Sequence, residues 1–505
     1  MKSLSRFLEP TLLFGHDQAM EDPRDGLMLF GPLDKGKPEG VCAGVVGTKE
    51  GIRRFKQWAK KIQGPIVDAP EKENRPPFPG FEPTFQCKWN PAPYVEAEID
   101  DAAIKLAIHQ SDGHLRVYQT VSLYEQAIVK NARHRDTSAN IWFAIVSDEL
   151  HRLCRPKSAV IGTEKVNSDL VMSPKFAKRL ESEPALFNEL NEAATPYHWD
   201  VHFHNQLKAR LLQNNLLSQV IRESTIAPLD FVDKFGRTPR QLGERQSEVA
   251  WNLCTSVFYK IGGRPWKIAN LRKGVCYIGL VFKRDEKDRD PRSACCAAQM
   301  FLDSGDGVVF IGAVGPWYNP NKDEYHLKRN AATALIKLAL ESYRDSNEAK
   351  LPPKELFIHG RVRFSSEEWA GFQDAVDSSI NLVGVKIRDD SGFRLYRKGE
   401  NPVLRGLGFI ENQRMAYLWT SGFIPRIQTY PGREVPIPLS IDVCRGNIVI
   451  DVVMNDIMAL TKLNYNACIF ADGIPVTLRF ANAVGEILTA GPVRKDPPLS
   501  FRYYI

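Results

Sequence analysis

The sequence predicts an α/β protein with more than one domain, and three observations support this prediction. Apolar strand-like runs alternate with amphipathic helical segments along most of the chain. The 505 residues exceed what a single hydrophobic core usually supports. A Gly262-Gly263 pair followed by Pro265 interrupts the pattern near the middle of the chain. We therefore expect two α/β units that meet at this break.

The first unit opens with a strand-turn-helix pattern. Residues 41–46 are apolar and predict a buried strand, and residues 49–62 place apolar side chains at helical spacing. That helical face consists of Ile52, Phe55, Trp58 and Ile62. A helix at residues 121–135 and a strand at residues 141–146 continue the alternation. This order is typical of a doubly wound sheet.

The second unit follows the Gly-Gly pair and shows the same alternation. Residues 276–282 and 356–358 predict buried strands, and residues 330–343 predict the helix that separates them. We expect a second sheet here.

Composition excludes several classes of protein. The formal charge of +7 is only mildly basic, so it permits a polyanionic partner without establishing one. The nine cysteines are scattered and never form C-x-x-C, which argues against a disulfide framework and a zinc ribbon. No apolar run is long enough to span a bilayer, and residues 1–16 lack the pattern of a secretory signal. We expect a cytoplasmic protein with no membrane partner.

Residues 198–223 contain the most informative cluster of polar side chains. Asp200 is a candidate cap for a helix on which His204 and Lys208 lie four residues apart. Gln219 follows on the next predicted strand, and Lys260 stands beside the Gly-Gly pair. Ammonium and amide donors of this kind can converge on one phosphate without reading a base. The alternative is an ordinary solvated helix face.

Three histidines in the same segment also raise the question of zinc. His198, His202 and His204 would share one side only on a strand. On a helix, residues 202 and 204 diverge, and a helix fits this segment better. A zinc site is therefore the less favoured interpretation.

His204, Lys208, Gln219 and Lys260, in this order and followed by Ile-Gly-Gly-Arg-Pro-Trp, resemble the MID-domain pocket and the entry into the PIWI domain of Argonaute proteins. The resemblance implies a Rossmann-like MID domain followed by a ribonuclease-H-like PIWI domain. It implies an N-terminal segment at residues 1–38 that packs on PIWI, MID at 39–262 and PIWI at 263–505. The same four residues would hold the 5′-phosphate of a guide strand. His204 stands where tyrosine is commoner, and Ser256 where many members have another lysine.

The last residues, Phe501-Arg502-Tyr503-Tyr504-Ile505, are too apolar for a frayed terminus, so we expect them to dock. In Argonautes the terminal carboxylate can reach the MID pocket and share a divalent ion with the glutamine. The resemblance therefore implies Mg²⁺ held by Gln219 and the Ile505 carboxylate. The alternative is a final strand buried in the core.

The resemblance also implies that this chain does not cut nucleic acid. Cleavage by a PIWI domain needs clustered carboxylates around metal ions. The matching positions are Val281, His359 and, in the last segment, Asn466. A nuclease that uses other carboxylates remains an alternative. The candidates are Asp285, Asp288, Asp451 and Asp456.

Four cations are candidates for contacts with the backbone of a guide–target duplex. They are Arg361, Arg363, Lys462 and Arg479. Each could equally be an ordinary surface charge.

The chain looks like a short prokaryotic Argonaute, made of MID and PIWI only, of the kind that pairs with a TIR-APAZ protein. That likeness implies an RNA guide, recognition of invading single-stranded DNA, and a heterodimer that forms a higher oligomer on target binding. The partner would carry the effector, most often a TIR domain that hydrolyses NAD(P) and otherwise a sirtuin-like or nuclease effector. A third interpretation is that the chain is a purely structural scaffold for a partner.

Overall fold

The computed structural model describes residues 3–35, 39–68, 76–132, 139–167, 171–284, 294–301, 307–314, 317–319, 324–346, 350–389, 392–430, 432, 434–491 and 500–505. The N-terminal segment forms short elements: β1 (Ser3–Arg6), β2 (Leu12–Leu13), β3 (Ala19–Met20) and α1 (Pro23–Phe30). The Asp22 side chain caps α1 by accepting a hydrogen bond from the backbone NH of Arg24.

The first unit is built on a four-stranded parallel sheet with the order β5-β4-β6-β7. Its strands are β4 (Ala43–Gly47), β5 (Val95–Glu98), β6 (Ile141–Val146) and β7 (Ser218–Arg222). Its helices are α2 (Lys49–Lys61), α3 (Phe81–Phe85), α4 (Asp101–Ile108), α5 (Gly113–Ala132), α6 (Asp148–Leu153), α7 (Pro174–Ser182), α8 (Asn188–Ala194), α9 (Phe203–Leu212), α10 (Glu223–Ile226) and α11 (Gln246–Lys260). All three strands predicted in this unit, including the one that carries Gln219, are confirmed.

Helix α2 shows why this sequence folds as it does. Thr48 precedes the helix, and its hydroxyl accepts a hydrogen bond from the NH of Gly51 at 3.0 Å. The apolar face predicted from the spacing is buried against the sheet. Burying four large apolar side chains supplies roughly 1.5–3 kcal/mol each, which outweighs the charged composition of the other face.

The second unit is built on a nine-stranded mixed sheet. In chain order its elements are β8 (Lys267–Ile268), β9 (Val275–Arg284), β10 (Ala294–Phe301), β11 (Gly307–Val314), β12 (Trp317–Asn319), β13 (Glu324–His326), α12 (Arg329–Ser346), β14 (Glu355–Gly360), α13 (Ser366–Ala375), β15 (Asn381–Arg388), β16 (Leu407–Ile410), β17 (Met415–Leu418), β18 (Leu439–Arg445), α14 (Ile450–Leu460) and α15 (Val476–Leu488). The sheet order is β1-β16-β17-β18-β15-β14-β9-β10-β11. Strand β10 is antiparallel to both of its neighbours, β9 and β11, and β9, β14 and β15 are parallel. This part of the sheet is ribonuclease-H-like.

The N-terminal segment packs on the second unit. Strand β1 adds to the sheet edge beside β16, and β2 pairs with β8. Glu9 lies between two buried cations: its carboxylate accepts from Arg405 Nε at 2.9 Å and lies 3.0 Å from Lys462 Nζ. Since both cations come from the far end of the chain, the segment is fixed by charge as well as by strand pairing.

The two units share one continuous core around the Gly-Gly junction. Tyr259 of α11 stacks on Tyr465 with ring centroids 4.4 Å apart, and the Tyr465 hydroxyl donates to the backbone oxygen of Trp266. A Cβ on Gly263 would lie 2.3 Å from the ring of Phe258, and Gly262 has a φ of 101°. The predicted break is therefore a tight turn, exposed at Gly262 and buried at Gly263. No described helix is long and apolar enough to cross a membrane.

Candidate guide-strand pocket

Three of the four predicted phosphate ligands meet in one buried pocket between the two units. Lys260, at the end of α11, donates from Nζ to Gln219 Oε1 at 2.6 Å and to the backbone oxygen of Ser218 at 2.9 Å. Lys208 of α9 donates to the terminal carboxylate of Ile505. The two lysines lie side by side, since each perturbs the other. The predicted convergence is thus present.

The electrostatics of this pocket are unusual because two ammonium groups share it. Burial lowers the pKa of Lys208 to about 7. Burial, together with the neighbouring charge of Lys208, lowers the pKa of Lys260 well below its ordinary value. Among the described residues, the acceptors bonded to this pair are the terminal oxygen of Ile505, the backbone oxygen of Ser218 and the amide oxygen of Gln219. A bound anion would compensate the remaining positive charge.

His204 lies next to this pair on α9 in a neutral form. Burial and the adjacent Lys208 lower the pKa of its imidazole to about 3. The neutral ring therefore serves as a flat, uncharged surface, with Nδ1 3.2 Å from Asn205 Oδ1. The helix begins two residues later than predicted: His202 is its N-cap residue. Asp200 does not cap it and instead accepts from the side chain of Asn205.

Ser256 and Asn466 complete the polar wall. The Ser256 hydroxyl lies 3.4 Å from Gln219 Oε1 and 3.3 Å from Asn466 Oδ1. The sequence resemblance placed Asn466 at a former catalytic position. The structure places it beside this pocket instead, because the loop after α14 returns to α11.

The C-terminus docks, as its composition predicted. Phe501 packs against Phe480 with ring centroids 5.1 Å apart and lies near Tyr259 at 6.3 Å. Residues 501–503 form a short 3-10 helix rather than a core strand. This packing directs the Ile505 carboxylate to Lys208.

The sequence did not reveal a cavity of about 270 Å³ that borders His204. It opens at the carboxyl ends of β6 and β7, where parallel α/β sheets usually bind ligands. Its polar lining consists of His151, Arg155, His202, Arg222 and Thr225. Burial and the nearby Arg222 and Arg155 lower the pKa of His151 to about 4. The position of two parallel strand ends was the only signal that could have located it.

The candidate Mg²⁺ ligands are oxygen atoms of the right chemical type. Gln219 Oε1 and a carboxylate oxygen of Ile505 each accept from a lysine in the pocket. Mg²⁺ prefers oxygen donors and usually keeps phosphate or water in its remaining positions. The residues therefore fit a Mg²⁺ that a phosphate would help to hold. The histidine zinc interpretation gains no support, since no group of three potential metal ligands among the described residues includes His198, His202 or His204.

Val281 and His359 lie on adjacent parallel strands of the second unit. His359 pairs in register with Gly279 of β9, two residues before Val281. Its Nδ1 is 3.0 Å from the Thr477 hydroxyl, and Nε2 has no partner among the described residues. Burial lowers the pKa of His359 to about 3, so the ring is neutral. The residue of α15 that contacts His359 is Thr477, not Asn466.

Of the alternative carboxylates, Asp456 is committed to a structural ion pair. It accepts from Arg272 Nη2 at 2.6 Å and from Arg272 Nε at 3.2 Å. Asp451 lies in the first turn of α14. Asp285 and Asp288 lie outside the described residues.

The four candidate backbone contacts differ sharply in their surroundings. Lys462 is buried against Glu9, the backbone oxygen of Glu21 and the ring of Phe470, so its assignment to a duplex groove is corrected. The remaining three cations are at least a third exposed and paired with aspartates: Arg361 with Asp389, Arg363 with Asp442, and Arg479 with Asp472.

Comparisons place this architecture among known folds. No family model and no curated protein matches the sequence. Several solved structures match the fold of this chain. Clostridium butyricum Argonaute bound to a guide DNA and a 19-mer target DNA matches 99% of this chain with a TM-score of 0.66 at 15% identity. Drosophila Piwi also matches 99%, with a TM-score of 0.59 at 12% identity. Aa-Ago with externally bound siRNA matches 99% as well, with a TM-score of 0.54 at 14% identity.

The chain has an Argonaute-type fold. It spans about half the length of those structures, 55% of the first and 56% of the other two. The predicted fold class, a Rossmann-like MID domain followed by a ribonuclease-H-like PIWI domain, is confirmed. The pocket of Lys208 and Lys260 lies between the Argonaute-type MID sheet and the C-terminus of PIWI. The exact domain boundaries, 1–38, 39–262 and 263–505, stay predictions.

Proposed function

We propose that this chain binds the 5′-phosphorylated end of a guide RNA and uses the guide to recognise complementary single-stranded DNA. The observation that supports this most strongly is the pair of buried lysines, Lys208 and Lys260, beside the terminal oxygen of Ile505. A buried cation pair is costly unless an anion compensates it. A terminal phosphate is such an anion, and its oxygens accept charge-assisted hydrogen bonds from lysine.

The surroundings of the pair suit a nucleotide rather than a free phosphate. The neutral ring of His204 offers a face on which the first base can stack. The adjacent cavity, lined by Arg155 and Arg222, offers further room for nucleotide groups. Gln219 and the Ile505 carboxylate would hold Mg²⁺ there, and the ion would neutralise phosphate charge.

We propose that this chain does not cleave the target. The positions that match the family's first two catalytic carboxylates hold Val281 and the buried, neutral His359. Neither can hold a metal ion as a carboxylate does. The pairing of Asp456 with Arg272 makes it a poor substitute.

The effect of target recognition would then be exerted by a partner. We propose a heterodimer with an APAZ-containing chain whose effector, most often a NAD(P)-hydrolysing TIR domain, is activated when the guide pairs with invading DNA and the complex oligomerises. This step rests on the resemblance to short prokaryotic Argonautes in defence systems. A sirtuin-like or nuclease effector would fit the same sensor.

The experiment compares the affinity of the chain for one RNA oligomer with and without a 5′-phosphate. The test variant is Lys208→Ala with Lys260→Ala. The matched control, Lys56→Ala with Lys175→Ala, removes the same charge from exposed positions. All measurements share one salt concentration, because phosphate contacts depend on salt.

We expect a phosphate preference of at least about tenfold in the wild type and the control, and none in the test variant, since two charge-assisted bonds are worth roughly 1.5–3 kcal/mol each. If the affinity depends neither on the 5′-phosphate nor on the two substitutions, these lysines are not the phosphate ligands. The scaffold interpretation would then be the better one.

A further inference from the structure

We propose that a basic loop of the PIWI domain, residues 392–400, binds the sugar-phosphate backbone of the guide strand. The loop follows β15 and contains three cations within five residues, Arg394, Arg397 and Lys398, and all three residues are exposed. Tyr396 lies among them with 75% of its surface exposed. The proposal rests on the proposed guide-binding function, and it assigns a contact outside the 5′-phosphate pocket.

Carboxylates do not compensate the positive charge of this loop. Within the described part of the chain, none of the three cations forms an ion pair. Arg394 donates from Nη1 to the backbone oxygen of Phe393 at 3.0 Å, and a neutral carbonyl leaves the charge of the guanidinium in place. Glu400 is the one acidic residue in the sequence of the loop. Because neighbouring like charges repel, a polyanion bound along the loop would relieve that repulsion.

This lack of partners distinguishes the loop from the cations that the sequence suggested for contacts with nucleic acid. Arg361, Arg363 and Arg479 each lie next to an aspartate, so their charge is largely compensated within the protein. Lys462 is buried and cannot reach a ligand at the surface. Compared with these four residues, the cations of the loop are both exposed and unpaired, which makes them the better ligands for phosphate.

The topology of the sheet starts this loop at the edge where ligands of α/β sheets usually bind. Strands β9, β14 and β15 are parallel, so their carboxyl ends meet at one edge. His359 lies near the end of β14, and Arg361, two residues later, is 3.1 Å from Asp389, which directly follows β15. The loop begins three residues after Asp389. It therefore leaves the sheet beside the position that matches a catalytic carboxylate of the family.

An aromatic anchor fixes the loop to the sheet. The ring centroid of Phe393 lies 5.1 Å from that of Tyr417, 5.7 Å from that of Trp419 and 5.9 Å from that of Phe409. Aromatic pairs of this kind are worth about 0.5–1.5 kcal/mol each beyond the area that they bury. The backbone of Arg394, the next residue, is therefore positioned in the free protein. A positioned loop loses less conformational entropy when it binds a ligand.

An exposed aromatic ring among cations suits a nucleic acid. The cations can contact phosphates without reading bases, and the ring of Tyr396 can stack on an unpaired base. The guide must be gripped by its backbone, since its bases have to stay free for pairing. It is also the strand whose 5′ end the proposed pocket fixes in the same chain. The loop is therefore assigned to the guide rather than to the target.

The test measures the affinity of the full chain for one RNA oligomer, with a 5′-phosphate and with a 5′-hydroxyl, over a series of salt concentrations. The loop variant combines Arg394→Ala, Arg397→Ala and Lys398→Ala. The matched control combines Lys56→Ala, Lys60→Ala and Lys175→Ala, which removes three exposed positive charges from the MID domain. Complementary single-stranded DNA is then added to each complex, so that contacts with guide and target are measured separately.

We expect the loop variant to bind both oligomers about tenfold more weakly than the control, with the preference for the 5′-phosphate unchanged. The slope of log affinity against log salt should fall by about 2, because each lost phosphate contact with a single strand contributes roughly 0.7. If the loop variant binds both oligomers as the control does, the proposal is wrong. A loss that appears only with complementary DNA would assign the loop to the target instead. A wild type without any phosphate preference would count against the pocket, not against the loop.

Discussion

The chemistry of the pocket depends on two lysines whose ordinary charge is unfavourable where they lie. Lys208 and Lys260 are both buried, and burial lowers the pKa of each lysine. The charge of Lys208 lowers the pKa of Lys260 further. The free protein therefore tolerates partial deprotonation of the pair. A phosphate reverses this balance, because an adjacent anion favours the ammonium form.

This balance predicts that proton uptake accompanies guide binding. The pKa of Lys208 is about 7 in the free protein, and a bound phosphate raises it. At a pH between the pKa of Lys208 in the free protein and its higher pKa in the complex, the complex holds a proton that the free protein lacks. Binding at pH 8 therefore takes up protons, and the affinity falls as the pH rises. Calorimetry in two buffers of different ionisation enthalpy measures this uptake.

A guide with a 5′-hydroxyl and the Lys208→Met variant are the controls for that measurement. Both should show less uptake than the phosphorylated guide with wild-type protein. Equal uptake in all three cases would mean that the protons go elsewhere, and the lysine pair would not be the phosphate ligand.

Single residues also show which contacts the sequence could and could not predict. The four-residue spacing of His204 and Lys208 was readable, because helix periodicity is local. Lys462 was misassigned because nothing near it in the sequence reveals Glu9, its partner from the opposite end of the chain. The sequence suggested a former catalytic position for Asn466, but its location depends on how the loop after α14 returns to Ser256.

At the scale of elements, the approach of α15 to β9 holds the PIWI core together. Gly279 of β9 has no side chain, and a Cβ there would lie 1.7 Å from the backbone oxygen of Thr477 at the start of α15. The same contact places Thr477 against His359. The close packing of α15 on β9 thus requires a glycine at position 279.

We therefore predict that Gly279→Ala destabilises the protein by about 3 kcal/mol or more, at the upper end of overpacking effects, because backbone must move rather than a flexible side chain. Gly64→Ala is the control, since no atom lies within 4 Å of its added Cβ and its φ is ordinary. Chemical unfolding of both variants measures the difference. A Gly279→Ala protein as stable as Gly64→Ala would show that α15 does not pack this closely.

Elements differed in how well the sequence predicted them. The buried strands and α2 were found because their apolar patterns are local and strong. The segment at 174–192 is divided into two helices, α7 and α8, since Glu183 and Pro184 interrupt its helical pattern. The cavity beside His204 was missed because its lining comes from six different elements, β6, α6, α9, β7, α10 and α11.

At the scale of the whole molecule, both ends of the chain pack against the folded domains. The N-terminal segment adds β1 to the PIWI sheet and holds Glu9 between Arg405 and Lys462. Burial alone would raise the pKa of Glu9, but these two cations lower it. The C-terminus closes the MID pocket through Ile505. The pocket is therefore complete only when both domains are folded together.

The central claim is guide-directed recognition without cutting, and one measurement tests it most directly. The chain, with its partner present, is loaded with a 5′-phosphorylated RNA and offered complementary or scrambled single-stranded DNA in Mg²⁺ or Mn²⁺. We predict that only the complementary DNA is retained and that it is recovered intact. Equal retention of scrambled DNA would contradict guided recognition, and cleavage of the matched strand by this chain alone would show that it is a nuclease.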